Sequence, residues 1–386
     1  MTCAPAAGAA PGTAHLFASW GPSMTIGGPT FDNQTIRAVV HTSIGGRALR
    51  VKLSNLRSTS PLAVGAVDIA EQANGATAVP GTHHPVTFGH ARTFTISTGA
   101  EVLSDPIEMT VGADENLLVS VDLPQATTSA TWHSDAFDQS YISVPGDHTA
   151  EDSATNYPTA TTSWYFVSGL DVMSTKATGT VVTFGDSITD GYNTPIGAYA
   201  TWPEDLARRL DDGAAPMAVV NAGIGGNRVL TDVPNIWQGI SAIKRFGHDA
   251  LGEPGVRDVI LLEGINDIGN NAGPDGGPLT TQELIDGYQN LIAQAHAAGV
   301  RIIGATMLPD YGNGYYTASA EAIRQAVNDW IRTSGAFDGV IDFDTVMRDP
   351  ADPKSLNPTY DSGDHLHPNA TGMQAMANAV DLGLLD

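Results

Sequence analysis

Thr180-Val-Val-Thr-Phe-Gly-Asp-Ser-Ile-Thr-Asp-Gly191 is the stretch whose reading decides the fold. It begins as an apolar, β-branched run and ends in a Gly-Asp-Ser turn. An unbroken apolar run of this kind marks a strand buried on both faces, as in a parallel sheet. Gly185 lets the backbone turn where a side chain would obstruct. Ser187 then stands at the carboxyl end of a parallel strand, the edge where open α/β sheets place their ligands. On this stretch alone Ser187 reads either as a nucleophile or as the cap of the next helix.

Outward from this stretch, strand-like runs alternate with amphipathic helical ones. The strands expected are Thr180–Phe184, Met217–Asn221, Asp258–Glu263, Val300–Met307 and Gly339–Phe343. The helices expected are Trp202–Leu210, with Thr201 as cap and Pro203 in its first turn, Gln238–Phe246, Thr280–Ala298, Ala318–Arg332 and one after Pro368. In Thr280–Ala298 the apolar face is Leu284, Tyr288, Leu291, Ile292 and Ala295, with Thr281 as a cap and Gly299 as the stop. In Ala318–Arg332 it is Ile323, Val327 and Trp330. Such alternation predicts a three-layer α/β domain of flavodoxin-like type with a five-stranded parallel sheet. The loops at the carboxyl ends of its strands then meet at one edge. They carry Gly185-Asp-Ser187, Asn221-Ala-Gly-Ile-Gly-Gly226, Gly264-Ile-Asn-Asp267 and, before the last helix, Asp364-His-Leu-His367. A serine, glycine-rich backbone, an asparagine, an aspartate and a histidine are the parts of acyl-transfer chemistry.

These four blocks, in this order, resemble the SGNH superfamily, also called GDSL esterases and lipases. The resemblance covers the second half of the chain. It implies a serine hydrolase needing no cofactor and no metal. Its triad would be Ser187, Asp364 and His367, and its oxyanion hole would be the Ser187 and Gly226 backbone N–H groups with the Asn266 amide. The physical roles agree. A serine hydroxyl needs a base, and an imidazole with a reference pKa of about 6.5 suits a proton shuttle near neutrality. Asp364, three residues before His367, shares a face with it in a helical turn and reaches its Nδ1–H. Asp186 and Asp267 are expected to bond their own loops. His365 points away, and Arg228 is left without a role. Tyr311 and Tyr315 in Asp310–Tyr316 and His133 in the first half are candidate substrate contacts.

Rival motifs fail. Gly223-Ile-Gly-Gly-Asn-Arg228 has Arg228 where a dinucleotide fingerprint needs its third glycine, and it follows the second strand of the unit instead of the first. No lysine follows a glycine, so there is no Walker A loop. Thr189 occupies the place of the second glycine of a Gly-x-Ser-x-Gly elbow.

Residues 14–174 have another texture. Arg50–Ser54, Thr93–Ile96 and Val119–Leu123 alternate polar and apolar residues, and Gly, Pro and Asn punctuate the runs. This predicts an antiparallel β-sandwich, jelly-roll-like, ending in a strand over Ser163–Val172, with the hydrolase domain at 175–386. The resemblance extends here to exported actinobacterial members with a β-rich N-terminal domain. His83-His84 invites a metal reading, but adjacent strand residues point to opposite faces. Trp132, His133, Tyr141 and His148 lie in the least regular part and are read as a loop, packed either on the catalytic half or on the sandwich.

A formal net charge of −24 over 386 residues argues against nucleic acid or an anionic membrane as partner. No apolar run reaches membrane-span length, so no stable membrane insertion is expected. Cys3, the single cysteine, excludes an intrachain disulfide and lies in an Ala/Pro/Gly-rich segment, 1–13, expected to be disordered. No signal peptide is visible; the segment reads either as the scar of a removed export signal plus an initiator methionine or as an ordinary start, so a secreted protein is expected, with a cytoplasmic one as the alternative. Oligomeric state is not legible. The substrate expected is a carboxylic ester with a short acyl group, cleaved through an acyl-enzyme, with deacetylation of a carbohydrate or similar ester as the natural role. The alternatives are a lipase or lysophospholipase on longer acyl chains, and a non-catalytic glycan-binding protein on the same scaffold.

Overall fold

The computed structural model describes residues 14–233 and 237–385. Cys3 and the segment expected to be disordered lie outside the described residues. The chain divides into two units: one holds Leu16–Ser174 with Ile196–Tyr199, the other Thr175–Pro195 and the chain from Ala200 onward.

The first unit is β-rich. One sheet orders His15–Trp20, Val167–Ser174, Leu49–Ser54 and Glu101–Leu103. The other orders Thr159–Thr161, Ser140–Pro145, Gln34–His41, Asn116–Leu123, Ala66–Asn74 and Thr77–Ala78, and His84–Pro85 pairs with Ala66–Asn74. The central pairings are antiparallel. Side chains two apart, Ile36, Ala38 and Val40, meet Leu49, Val51 and Leu53 and Leu117, Val119 and Val121 in one core. That period of two is the alternation visible in the sequence. The last strand is broken: Phe166 has φ +59°, and Trp164–Tyr165 turns aside to pair with Trp132–His133. Residues expected to form a loop at 132–133 are therefore a short strand. Ile196–Tyr199, expected in the hydrolase domain, belong to this unit. The Gly197 N–H donates to the Phe137 carbonyl (2.8 Å), the Tyr199 hydroxyl to Asp138 (3.0 Å), and the Tyr199 ring stacks on His41 at 3.9 Å.

The second unit has five parallel strands, β1 (Thr180–Gly185), β2 (Ala218–Gly223), β3 (Val256–Leu262), β4 (Arg301–Ala305) and β5 (Gly339–Ile341), in the order β2-β1-β3-β4-β5. Val181, Val182 and Phe184 are fully buried, so both faces of β1 are covered and it reads as an unbroken apolar run. The helices are α1 (Ser187–Asp190), α2 (Trp202–Asp211), α3 (Ala242–Asp249), α4 (Ile265–Gly269), α5 (Thr281–Ala297), α6 (Ala318–Thr333), α7 (Phe343–Met347) and α8 (Ala370–Ala379). α8 packs on α2 and α7, while α5 packs on α3 and α6. Among the described residues no helix is long and apolar enough to cross a membrane. None of their His, Cys, Asp and Glu side chains form a group of three or more that could hold a metal ion.

Local chemistry explains where the elements depart from the sequence pattern. Thr280 caps α5, not Thr281, because Glu283 closes a capping box back onto Thr280. α3 starts at Ala242, not Gln238. The Ala242 N–H donates to the Arg228 carbonyl (2.8 Å), and the Gln238 and Ile240 carbonyls accept from the Asn227 amide (2.7 and 2.9 Å). On α6 the buried face is Ala320, Arg324, Val327, Asn328 and Ile331, whereas Ile323 and Trp330 are only partly covered. Asn328 both donates to and accepts from the Met307 peptide at 2.8 Å, which ends β4 short of Met307. β5 stops at Ile341 because the Asp342 side chain caps α7 by accepting from the Thr345 N–H.

Asp344 joins α6 to α7. Its carboxylate accepts from Arg324 at 2.7 Å and from Arg332 at 2.6 Å, and it is 1% exposed. Removing one partner strands a buried charge, which costs about 3–5 kcal/mol. Asp344→Ala is therefore expected to lower the urea midpoint of the α/β unit by an amount corresponding to about that loss. An unchanged midpoint would contradict this account of the α6–α7 contact.

Candidate active site

Gly185 ends β1 in register with Gly223 of β2 and Leu262 of β3. A Cβ at Gly185 would sit 2.3 Å from both the Leu262 carbonyl oxygen and Thr189 Oγ1, so only glycine fits. The residue that caps α1 is Asp186: its side chain accepts from the Ile188 N–H (3.0 Å). Burial pushes the Asp186 carboxyl up, against that hydrogen bond. With the cap supplied by its neighbour, Ser187 directs its hydroxyl elsewhere, and Oγ lies 2.8 Å from His367 Nε2. As the first residue of α1, Ser187 also has a backbone N–H with no intrahelical acceptor.

His367 and Asp364 are not in a helical turn, as their spacing suggested. Gly363 and His365 both take left-handed φ values, +104° and +63°. The loop is instead folded by Asp364 itself. Its Oδ1 accepts from the Leu366 N–H (3.0 Å) and the His367 N–H (2.8 Å), an Asx-type turn. Its Oδ2 faces His367 Nδ1 at 2.6 Å and accepts from the Asn193 amide at 2.9 Å. Burial opposes the Asp364 charge, but the bonds from the His367 ring and from the two backbone N–H groups outweigh it and hold the carboxyl well below the usual range. An ionised Asp364 favours the tautomer with hydrogen on Nδ1, leaving the Nε2 lone pair toward Ser187. His365 turns to Asp361 (2.6 Å).

The loop after β2 brings Gly226 forward with φ +75°. A Cβ there would meet the Gln238 side chain at 2.3 Å. The turn is fixed on each side of Gly226: the Gly225 N–H donates to Asp190 (3.2 Å) and the Asn227 N–H to the Ile224 carbonyl (3.1 Å). The Gly226 N–H has no hydrogen-bond acceptor among the described residues. Asn266, the second residue of α4, donates one amide hydrogen to the Asn227 carbonyl (3.0 Å), which leaves the other for a ligand. Asp267 was expected to bond its own loop. It reaches across instead, accepting from the Val229 and Leu230 N–H groups at 2.8 and 3.0 Å, and burial pushes it up to about 7 despite them. Arg228 makes a local contact with Thr231 (3.4 Å).

The remaining candidates are less closely tied to Ser187. Tyr311 is half-exposed, edge-on to Tyr316 at 4.8 Å and 5.7 Å from the Lys354 ammonium. Tyr315 covers Gly269 of α4, and its hydroxyl is 3.4 Å from the Asn270 amide. Their loop is tied to the Asp364–His367 loop by the Asn313 amide, which donates to the Asp364 carbonyl (2.8 Å). His133 is buried in the β-rich unit, where Nδ1 meets the Ser23 carbonyl at 2.9 Å and the ring lies 5.5 Å from that of Trp164. Tyr192 escaped the sequence reading: its ring, 41% exposed, lies 4.5 Å from that of His367. So did Asn193, whose only signal was its place just after the Gly-Asp-Ser turn.

No curated protein matches the chain. Solved structures similar to it include a GDSL-like lipase from Bacteroides thetaiotaomicron (19% identity, 53% of this chain and 87% of that one, TM-score 0.40). Others are a carbohydrate acetylesterase family member from Sinorhizobium meliloti (17%, 52% and 94%, 0.41) and an acetylxylan esterase from Geobacillus stearothermophilus (19%, 53% and 92%, 0.39). Residues 183–375, from the second half of β1 through the first half of α8, match the GDSL-like lipase/acylhydrolase family. Since that match spans half of the chain, the chain belongs to the GDSL-like lipase/acylhydrolase family.

Proposed function

We propose that the chain is a serine esterase acting on carboxylic esters with short acyl groups. The observation that carries this reading is the continuous line Ser187 Oγ, His367 Nε2, His367 Nδ1, Asp364 Oδ2, with contacts of 2.8 and 2.6 Å. His367 takes the hydroxyl proton as Ser187 Oγ bonds to the ester carbonyl carbon. The carbonyl oxygen becomes an oxyanion facing the Ser187 and Gly226 N–H groups and the Asn266 amide. His367 returns the proton to the leaving alcohol oxygen, the C–O bond breaks, and the acyl group remains on Ser187. Water, deprotonated by the same imidazole, releases the acid and restores the serine. The half-exposed rings of Tyr192 and Tyr311 offer flat apolar faces of the kind that stack on sugars, so an acetylated carbohydrate is the substrate we favour. An exported enzyme working on such a glycan is the setting that fits.

Ser187→Ala is expected to reduce p-nitrophenyl acetate hydrolysis to background, and rates equal to wild type would refute the reading. Across a p-nitrophenyl ester series from acetyl to palmitoyl, the maximum is expected at the short end. A maximum at palmitoyl would favour a lipase instead.

Asn266→Ala removes one oxyanion donor and is expected to lower kcat by about 10²–10³-fold, with KM little changed. A loss confined to KM would assign Asn266 to ground-state binding.

Because Asp364 is held below the carboxylate range, it stays ionised wherever the protein is active. The acid limb of the kcat/KM profile is therefore expected to carry no second proton from this carboxyl. The sign for stability is opposite to that of a raised group. The depressed carboxyl stabilises the fold above the ordinary aspartate range, and this contribution disappears as pH falls through its folded value. The stability advantage of wild type over Asp364→Asn should thus shrink on acidification. A two-proton acid limb, or an advantage that grows in acid, would contradict this.

A further inference from the structure

Arg245 of α3 is 1% exposed, and none of the steps above uses it. Its guanidinium nonetheless lies where the loops of the site converge. Nη2 donates to the Gly185 carbonyl, Nη1 to the Ala222 carbonyl and Nε to Asn227 Oδ1, each at 2.8 Å. Cζ lies 3.8 Å from the centre of the Phe184 ring. Asp249 at 3.4 Å and Glu263 at 3.6 Å flank it. Two of these acceptors, Gly185 and Asn227, stand beside a proposed donor of the oxyanion hole. Gly185 is two residues before Ser187, and its carbonyl also accepts the Ile224 N–H (3.1 Å) that starts the Gly226 turn. Asn227 follows Gly226, and its carbonyl holds the Asn266 amide (3.0 Å). The Asn227 side chain is further pinned to the Gln238 and Ile240 carbonyls.

We propose that Arg245 is a positioning residue that fixes the mutual placement of the Ser187 N–H, the Gly226 N–H and the Asn266 amide. This rests on the esterase reading above. The chemistry favours arginine for the task. Its planar fork sends donors in three directions at fixed angles and cannot lose its charge, whereas a lysine ammonium offers a single point. Charge-assisted bonds to carbonyls are shorter and stronger than neutral ones and so tolerate less drift. A buried cation is costly unless fully partnered, and an apolar side chain would fill the same space with less penalty. What an apolar side chain could not do is hold Gly185, Ala222 and Asn227 at set distances from one another. Donors displaced by about 1 Å from a developing oxyanion lose about 10²-fold in rate.

The test uses the full chain with Arg245→Lys and, separately, Asn227→Ala, which leaves Arg245 in place but removes the link to the Gly226 turn. Folding is checked by circular dichroism and thermal melting, and assays run well below the melting temperature. Kinetics are measured on p-nitrophenyl acetate. Binding is measured for a trifluoromethyl ketone that adds to Ser187 and for an unreactive amide of the same shape. For a positioning role, kcat is expected to fall by about 10–100-fold with KM within about threefold of wild type. Affinity for the ketone should fall by the same factor as kcat/KM, while affinity for the amide holds. Wild-type kcat in folded Arg245→Lys overturns the proposal, as does equal weakening of ketone and amide, which marks a structural brace. If Arg245→Lys does not fold, Asn227→Ala decides by the same criteria, and failure of both to fold also assigns a brace. The Ser187→Ala control separates the two levels: if it matches wild type, the esterase reading itself fails. If it is inactive while Arg245→Lys keeps full kcat, only the positioning role fails.

Discussion

The Gly185 carbonyl accepts from two donors, the Ile224 N–H and the Arg245 guanidinium, and the loops of the site are built out from that junction. The carboxyl edge of a parallel sheet leaves backbone groups that must find partners outside the ladder. Here side chains from neighbouring loops supply them. The Asn221 amide donates to the Thr189 carbonyl, Asp190 accepts from Gly225, and Asp267 accepts from Val229 and Leu230. Each such bond contributes only about 1 kcal/mol net, but an unmade one inside the protein costs about 1–3 kcal/mol. The loops after β1, β2 and β3 therefore fit together as a set, and none can shift without stranding a group on another.

The same device recurs away from the site. In a chain with net charge −24, Arg37, Arg245 and Arg324 are nevertheless fully buried. All three donate to backbone carbonyls: Arg37 to those of Ala76, Thr149 and Glu151, Arg245 to Gly185 and Ala222, Arg324 to Met307. These carbonyls lie in loops or toward strand ends. Interior arginine in this protein ties separate backbone segments together through their carbonyls, with acidic neighbours such as Asp344 and Asp249 offsetting its charge.

What the sequence disclosed follows from which forces act locally. The run Thr180–Phe184, the cap at Thr201 and the glycine-rich turn after β2 are dictated within a few residues, and each lies where its pattern placed it. The four-block order brought Ser187, Gly226, Asn266, Asp364 and His367 into view because each stands in a segment that follows a strand or precedes the last helix. Two of the misplaced features depend on polar groups that act at a distance. The start of α3 is set by the Asn227 amide and by the Arg228 carbonyl, and the buried face of α6 includes Arg324 and Asn328. A hydrophobic period counts such residues as exposed, since it has no way to see the Met307 peptide that covers Asn328. Arg245 was missed for the same reason.

Asp364 divides its two oxygens between tasks that an amide could not share. Oδ1 folds the loop and Oδ2 holds the imidazole. Asparagine carries one acceptor oxygen, so if that oxygen kept the turn, its NH₂ would face His367 Nδ1. Two donors cannot bond each other, and the ring would move its hydrogen to Nε2, presenting an N–H to the serine hydroxyl instead of a lone pair. Loop geometry and proton inventory are thus encoded by the same carboxylate. A substitution that is nearly invisible in shape would leave a well-folded loop holding a histidine of reversed polarity.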